Sequence, residues 1–109
     1  MFTPRVRNVQ TDLLMKALLS LRSIEEAYRF CEDVLSVQEL ISITQRLEVA
    51  TLLRRKITYQ EIAKTTGAST ATIGRVNRCL LYGADGYNIL LDRLAEEKGI
   101  PKAEIEERL

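Results

Sequence analysis

The most constraining feature of this sequence is a four-residue pattern that recurs three times, each time before a run with helical spacing of apolar residues. The copies are "SIEE" from Ser23, "SVQE" from Ser36 and "TYQE" from Thr58. A Ser or Thr followed three residues later by Glu can satisfy free amides at the start of a helix, so each copy predicts a helix N-terminus. No stretch shows the strict alternation of a β-strand. The sequence therefore predicts an all-α fold.

Helical spacing also extends beyond these three starts, and in total it predicts about six helices with short connections. The first is "TDLLMKALLSL" from Thr11, after ten residues that we interpret as a flexible arm. Two further helices flank Gly67, because glycine favours the left-handed conformation that ends a helix. The last is "YNILLDRLAEEK", which is closed by Gly99 and followed by a turn from Pro101.

The composition excludes several classes of function. The chain has no histidine, and its two cysteines, Cys31 and Cys79, lie far apart and are typical of small core residues. We therefore expect no metal site and no disulfide. The chain has no glycine-rich phosphate loop and no nucleophile elbow, and neighbouring carboxylates such as Glu25 and Glu26 point in different directions on a helix. We predict that the protein is not an enzyme.

The sequence gives no indication of a membrane protein or an exported one. No apolar run reaches the length of a membrane span, and the N-terminal "MFTPRVRNVQ" lacks the apolar stretch of a signal peptide. We expect a cytoplasmic protein with no membrane partner.

Charge is concentrated in one segment, although the whole chain has a formal net charge of only +1. Residues 1–53 carry a net charge of −1 and residues 83–109 a net charge of −3. Residues 54–82 hold six Lys or Arg and one Glu, a net charge of +5. Such a local excess is typical of a surface that faces phosphates.

This basic segment contains "TYQEIAKTTGASTATIGRVNR", residues 58–78, which meets the steric demands of a helix-turn-helix. Ala63 supplies the small residue needed where the two helices touch. Gly67, four positions later, tolerates the positive φ of the turn. Ile62, Ile73 and Val76 supply apolar residues for the inner faces. The joint match favours a DNA-reading motif over an ordinary helical hairpin.

The outward positions of this motif suit contacts to double-stranded DNA. Short side chains at the front of the second helix let it approach the bases, while hydroxyl and guanidinium groups can bond phosphates or base edges. The candidate DNA-binding residues are Thr58, Tyr59, Gln60, Lys64, Ser69, Thr70, Ala71, Thr72, Gly74, Arg75 and Arg78.

From about Leu35 to Tyr82 the chain resembles the Trp repressor family, and within it the repressor-related proteins of the YerC/YecD type from Gram-positive bacteria. The residues that carry the resemblance are "LSVQE", "RLEVATLLRR" and "ITYQEIAKTTGASTATIGRVNRCL". The resemblance implies an intertwined homodimer of all-α chains, with two helix-turn-helix units in successive major grooves. It also implies a transcriptional regulator, most simply a repressor, that reads a palindromic operator.

The family's co-repressor site is only partly matched. Arg46 and Arg75 correspond to the two arginines that grip tryptophan in the Trp repressor, and with Cys79 they are the candidate ligand-binding residues. Cys79 stands where the family has a serine, and Val76 stands where it has a glycine that leaves room for the indole ring. We therefore expect no cofactor and no tryptophan sensing. Another small-molecule co-repressor, or none at all, remains open.

The leucine-rich helices near the N-terminus also favour a homodimer, since one helix of a small monomer cannot easily bury residues 13–21. We expect a single helical domain over residues 1–109. Its parts are a flexible arm (1–10), dimerisation and core helices (11–55), the helix-turn-helix (58–81), and a C-terminal helix and tail (86–109). The alternative function is a helical adaptor that uses the helix-turn-helix surface to bind a protein partner.

Overall fold

The computed structural model describes residues 2–96, and within that range the chain forms six α-helices and no strand. The all-α prediction with about six helices is confirmed. The predicted helix end at Gly99 and the turn from Pro101 lie outside the described residues. The helices are α1 (Val9–Ser20), α2 (Ile24–Val34), α3 (Val37–Arg54), α4 (Tyr59–Thr66), α5 (Thr70–Tyr82) and α6 (Gly86–Glu96).

The start of α3 is a complete capping box. The Glu39 amide donates to Ser36 Oγ at 3.1 Å, and the Ser36 amide donates to Glu39 Oε1 at 3.1 Å. Hydrogen bonding of the Glu39 carboxylate with the Ser36 side chain and with the Ser36 backbone lowers the pKa of that carboxyl below its ordinary value, because it favours the charged form. The predicted helix start is confirmed in both directions of the box.

In the other two boxes only one of the two bonds forms, the one that the Glu amide donates to the N-cap hydroxyl. Ser23 Oγ accepts from the Glu26 amide at 3.1 Å, and Thr58 Oγ1 accepts from the Glu61 amide at 3.3 Å. The Glu26 carboxylate accepts from the Arg22 amide at 2.9 Å, one residue before the predicted partner. Both helices still begin where the pattern predicted, because the N-cap side chain alone satisfies an orphan amide.

Helix α1 begins at Val9, two residues before the predicted start at Thr11. Asn8 is its N-cap: Asn8 Oδ1 accepts from the Thr11 amide and Thr11 Oγ1 accepts from the Asn8 amide, both at 2.8 Å. The Ser/Thr-to-Glu pattern did not predict this box, because the box uses Asn and Thr in place of Ser and Glu.

The described residues fall into two compact units that divide between Leu40 and Ile41. The second unit holds the core, which is built from α3, α4, α5, α6 and the turn between α4 and α5. Its buried apolar residues are Val49, Ala50, Leu52, Ile62, Ala68, Ile73, Val76 and Leu91. Four helices thus share one apolar centre, which fixes how α4 and α5 are presented.

The first unit has no buried residue between positions 2 and 40. Many of its large apolar side chains are exposed instead: Leu19 is 86% exposed, Val9 79% and Leu13 67%. A helix normally forms stably in water by burying an apolar face against another element. Neither α1 nor α2 buries any residue completely in the part of the chain that the structure describes, residues 2–96.

Candidate nucleic-acid interface

Helices α4 and α5 form a helix-turn-helix, and Gly67 ends α4 at the start of the turn. Gly67 has φ 75° and ψ 4°, in the left-handed region, and its amide donates to the Ala63 carbonyl at 2.9 Å. This region strains most residues with a Cβ, so glycine makes the turn at little cost. The predicted role of Gly67 as the left-handed cap between two helices is confirmed.

Thr66 organises the turn through three hydrogen bonds. Its hydroxyl donates to the Ile62 carbonyl at 2.8 Å and accepts from the Ala68 amide at 3.1 Å. Its carbonyl accepts from Gln45 Nε2 on α3 at 3.2 Å. The last bond ties the turn to the core helix and satisfies a carbonyl at the end of α4 that has no intrahelical partner. Gln45 could not be predicted from the sequence, because nothing in the local pattern indicates a partner 21 residues away.

The inner faces of α4 and α5 are buried as the sequence predicted. Ile62 and Ile73 are fully buried, and Val76 is only 2% exposed. Ala68, in the turn, joins the same cluster, and Ala63 packs against it. Since Ile73 and Val76 lie one turn apart on α5, the core fixes the rotation of this helix about its own axis.

The outer faces carry all the residues predicted to bind DNA. Thr72 and Gly74 are half-buried, and the others are exposed. On α4 and its N-cap the exposed candidates are Thr58, Tyr59, Gln60 and Lys64; on α5 and its N-cap they are Ser69, Thr70, Ala71, Arg75 and Arg78. The structure therefore gathers the candidates on the outer side of one motif.

Two of the predicted hydroxyls have a structural role as well. Ser69 Oγ accepts from the Thr72 amide at 3.1 Å, which caps α5, and donates to Thr72 Oγ1 at 3.1 Å. Thr58 caps α4 in the same manner. Because both caps are exposed, capping does not remove these hydroxyls from the outer surface.

The basic residues of the segment divide by function. Arg54, at the end of α3, is bound to α6: its guanidinium pairs with Asp92 and donates to the Asn88 carbonyl at 3.3 Å. Arg75 and Arg78 instead extend from the exposed side of α5. Arg54 therefore links α3 to α6, whereas Arg75 and Arg78 lie on the outer face of the motif.

A groove of about 440 Å³ in the second unit gathers two of the three candidate ligand residues. Arg46 and Cys79 line it together with Tyr87, and its walls are largely apolar. Arg75 is not among the lining residues, and Val76 packs into the core. The structure thus brings Arg46 and Cys79 together and leaves Arg75 on the outer surface. Tyr87 was not predicted from the sequence as a residue of this groove.

Two kinds of feature do not occur among residues 2–96. No three side chains of His, Cys, Asp or Glu come together in a way that could hold a metal ion. No helix in this part of the chain is both long enough and apolar enough to cross a membrane.

Comparison with known proteins identifies the family. The model of the family described as Trp repressor protein matches residues 9–95, which include all six helices except the last residue of α6. The chain belongs to the Trp repressor family. This is a family of DNA-binding regulators and not of enzymes, so the resemblance seen in the sequence and the prediction of no enzymatic activity are both confirmed.

The relatives extend the match over most of the chain. The uncharacterized protein YerC of Bacillus subtilis is 50% identical over 92 residues, which are 84% of this chain and 88% of YerC. A TrpR-like protein from Eubacterium eligens has a crystal structure with a TM-score of 0.79 and 49% identity, covering 84% of this chain and 94% of its own. A proposed Trp repressor from Staphylococcus aureus has a TM-score of 0.79 and 43% identity, covering 85% and 93%.

Proposed function

We propose that this member of the Trp repressor family is a sequence-specific DNA-binding transcriptional regulator that acts as a homodimer. The observation that carries the proposal is that α5 has one side buried in the core and one exposed polar side. Ile73 and Val76 fix its inner side in the core, while Thr70, Arg75 and Arg78 lie on its exposed side. A recognition helix needs a rigid seat behind it and polar groups of suitable reach in front.

The chemistry of the exposed side suits the major groove. Thr70 and Ala71, in the first turn of α5, are short, so the helix end can come close to base edges, and their methyl groups can contact those of thymine. Arg75 and Arg78 can reach guanine or phosphate oxygens. Lys64 and Gln60 on α4 are placed for contacts to the DNA backbone.

The homodimer is supported by the first unit. Residues 2–40 bury nothing completely, and the open leucine and valine side chains of α1 need a partner surface. A second copy supplies such a surface and also doubles the number of recognition helices. A two-fold dimer reads two half-sites about one helical turn of DNA apart, so the operator is palindromic.

The regulator acts as a repressor in this proposal, because that is the role implied by its membership of the Trp repressor family. Bacterial chromosomes lie in the cytoplasm, so we propose the same location for this protein. Tryptophan is not its co-repressor, since Val76 occupies the position of the family's glycine and Cys79 that of its serine.

Charge reversal tests the DNA-binding proposal. We expect the wild-type protein to retain a labelled pool of random-sequence duplexes at low salt, and Arg75→Glu combined with Arg78→Glu to abolish retention. Arg75→Glu and Arg78→Glu are also tested singly, with Arg93→Glu as the matched single reversal, because Arg93 is an exposed arginine on α6, outside the motif. Unchanged retention by the double variant would overturn the proposal. If binding of a protein partner were lost in its place, the adaptor function would be correct.

A further inference from the structure

The folded structure does not require a glycine at position 74. It is the fifth of the 13 residues of α5, and glycine inside a helix is less stable than alanine because the unfolded chain gains freedom. A Cβ built on Gly74 would have no heavy atom within 4 Å, apart from chain neighbours and the helix's own backbone. Among the described glycines only Gly67 has a positive φ, so Gly74 needs no special backbone conformation either.

The position of Gly74 suggests an external reason for the missing side chain. It lies one helical turn after Thr70 and one turn before Arg78, both of which are exposed. Its neighbour Ile73 is fully buried and Val76 nearly so. Because the core fixes the helix on that side, α5 cannot roll aside to make room for a side chain at position 74 when a partner presses on its outer face.

We propose that Gly74 is the point of closest approach between the α5 backbone and the DNA, and that its missing side chain sets how deeply α5 enters the major groove. The inference rests on the proposed DNA-binding function and names a positioning residue within it. A methyl group at this point would hold the helix away from the duplex. Thr70 and Arg78, one turn to each side, would then lose their reach to the base edges.

The experiment compares Gly74→Ala with the matched variant Gly86→Ala. Gly86, in the first turn of α6, also has open space where a Cβ would stand, so both variants add one methyl group to an unobstructed helix position. Each full-length protein is measured for its Tm and for its affinity to two duplexes. One duplex is selected from random sequences by the wild-type protein, and the other is a scrambled version of it at the same salt concentration.

We expect Gly74→Ala to raise the Tm by a few degrees, since alanine is the better helix former. We also expect it to weaken binding to the selected duplex by tenfold or more, with much less change on the scrambled duplex, because nonspecific binding depends on phosphates and not on depth. Gly86→Ala should leave both affinities unchanged.

Three results would overturn the inference. They are a Gly74→Ala protein that binds the selected duplex as tightly as the wild type, one that loses equal affinity for both duplexes, and one whose Tm falls. The proposed function fails separately, if the wild-type protein itself selects no duplex.

Discussion

Gln45 on α3 donates a hydrogen bond from Nε2 to the carbonyl oxygen of Thr66, at 3.2 Å, across 21 residues of sequence. Thr66 is the last residue of α4, and its hydroxyl holds the turn that leads into α5. The bond therefore links the core helix to the turn of the helix-turn-helix. It holds the helix-turn-helix in position against α3, in addition to the apolar contacts of Ile62 and Ile73.

Removing the Gln45 amide should weaken the attachment of the turn to α3. We expect Gln45→Ala to lower the free energy of unfolding by about 1 kcal/mol, because a partly buried carbonyl loses its partner. Urea unfolding followed by circular dichroism gives the value. Gln38→Ala is the control, since Gln38 is an exposed glutamine of the same helix. Equal midpoints for the two variants would show that the bond contributes nothing.

Backbone strain alone should determine how much a substitution at Gly67 destabilises the protein, because a Cβ there would meet no heavy atom within 4 Å. Its φ of 75° predicts that Gly67→Ala destabilises the protein by about 1–2 kcal/mol. Gly67→Asn should cost less, since asparagine adopts the left-handed region more readily. Thermal unfolding of both variants makes the comparison. An alanine variant at least as stable as the asparagine variant would contradict this account of the turn.

The open apolar side of α1 should control assembly. Leu19 is 86% exposed, so Leu19→Glu removes little packing within one chain. We expect the wild type to sediment at twice the chain mass of 12.4 kDa, and Leu19→Glu to shift the equilibrium toward single chains. Ser20→Glu places the same charge at the next position, where the wild-type residue is already polar, and should leave the dimer intact. A wild-type protein that sediments as one chain would refute the dimer.

Tryptophan should not bind with useful affinity. Val76 is buried in the core and Cys79 lacks the hydroxyl group of the family's serine, although Arg46 and Cys79 do share a groove. Calorimetric titration with the amino acids should show no saturable heat for tryptophan up to about 1 mM, a concentration that corresponds to about −4 kcal/mol of binding free energy. Tight tryptophan binding would mean that Val76 does not obstruct the site.

Local sequence predicted the helices well because their starts depend on residues three positions apart. The Ser36 and Glu39 box forms completely, and Gly67 adopts the left-handed cap. The inner-face residues Ile73 and Val76 were also predictable, since their spacing alone places them on one side of a helix. The start of α1 at Val9 was missed, because Asn8 and Thr11 form an uncommon version of the box.

Contacts between distant residues could not be predicted from the pattern. Gln45 meets Thr66 and Arg54 meets Asp92 only after α3, α4 and α6 pack together, and no periodicity specifies such partners. The sequence also grouped Arg75 with Arg46 and Cys79 through the family resemblance. The groove in the structure contains Arg46 and Cys79 without Arg75, because Arg75 extends from the exposed side of α5.

The central claim is that α5 reads a DNA sequence, and selection from a random pool tests it most directly. Purified protein is incubated at low salt with duplexes of random sequence, and the bound fraction is amplified and sequenced over several rounds. We predict convergence on a palindromic site that is bound at least about a thousandfold more tightly than its scrambled version, with affinity that falls steeply as salt rises. A pool that stays random, bound with equal affinity for every duplex, would contradict the claim.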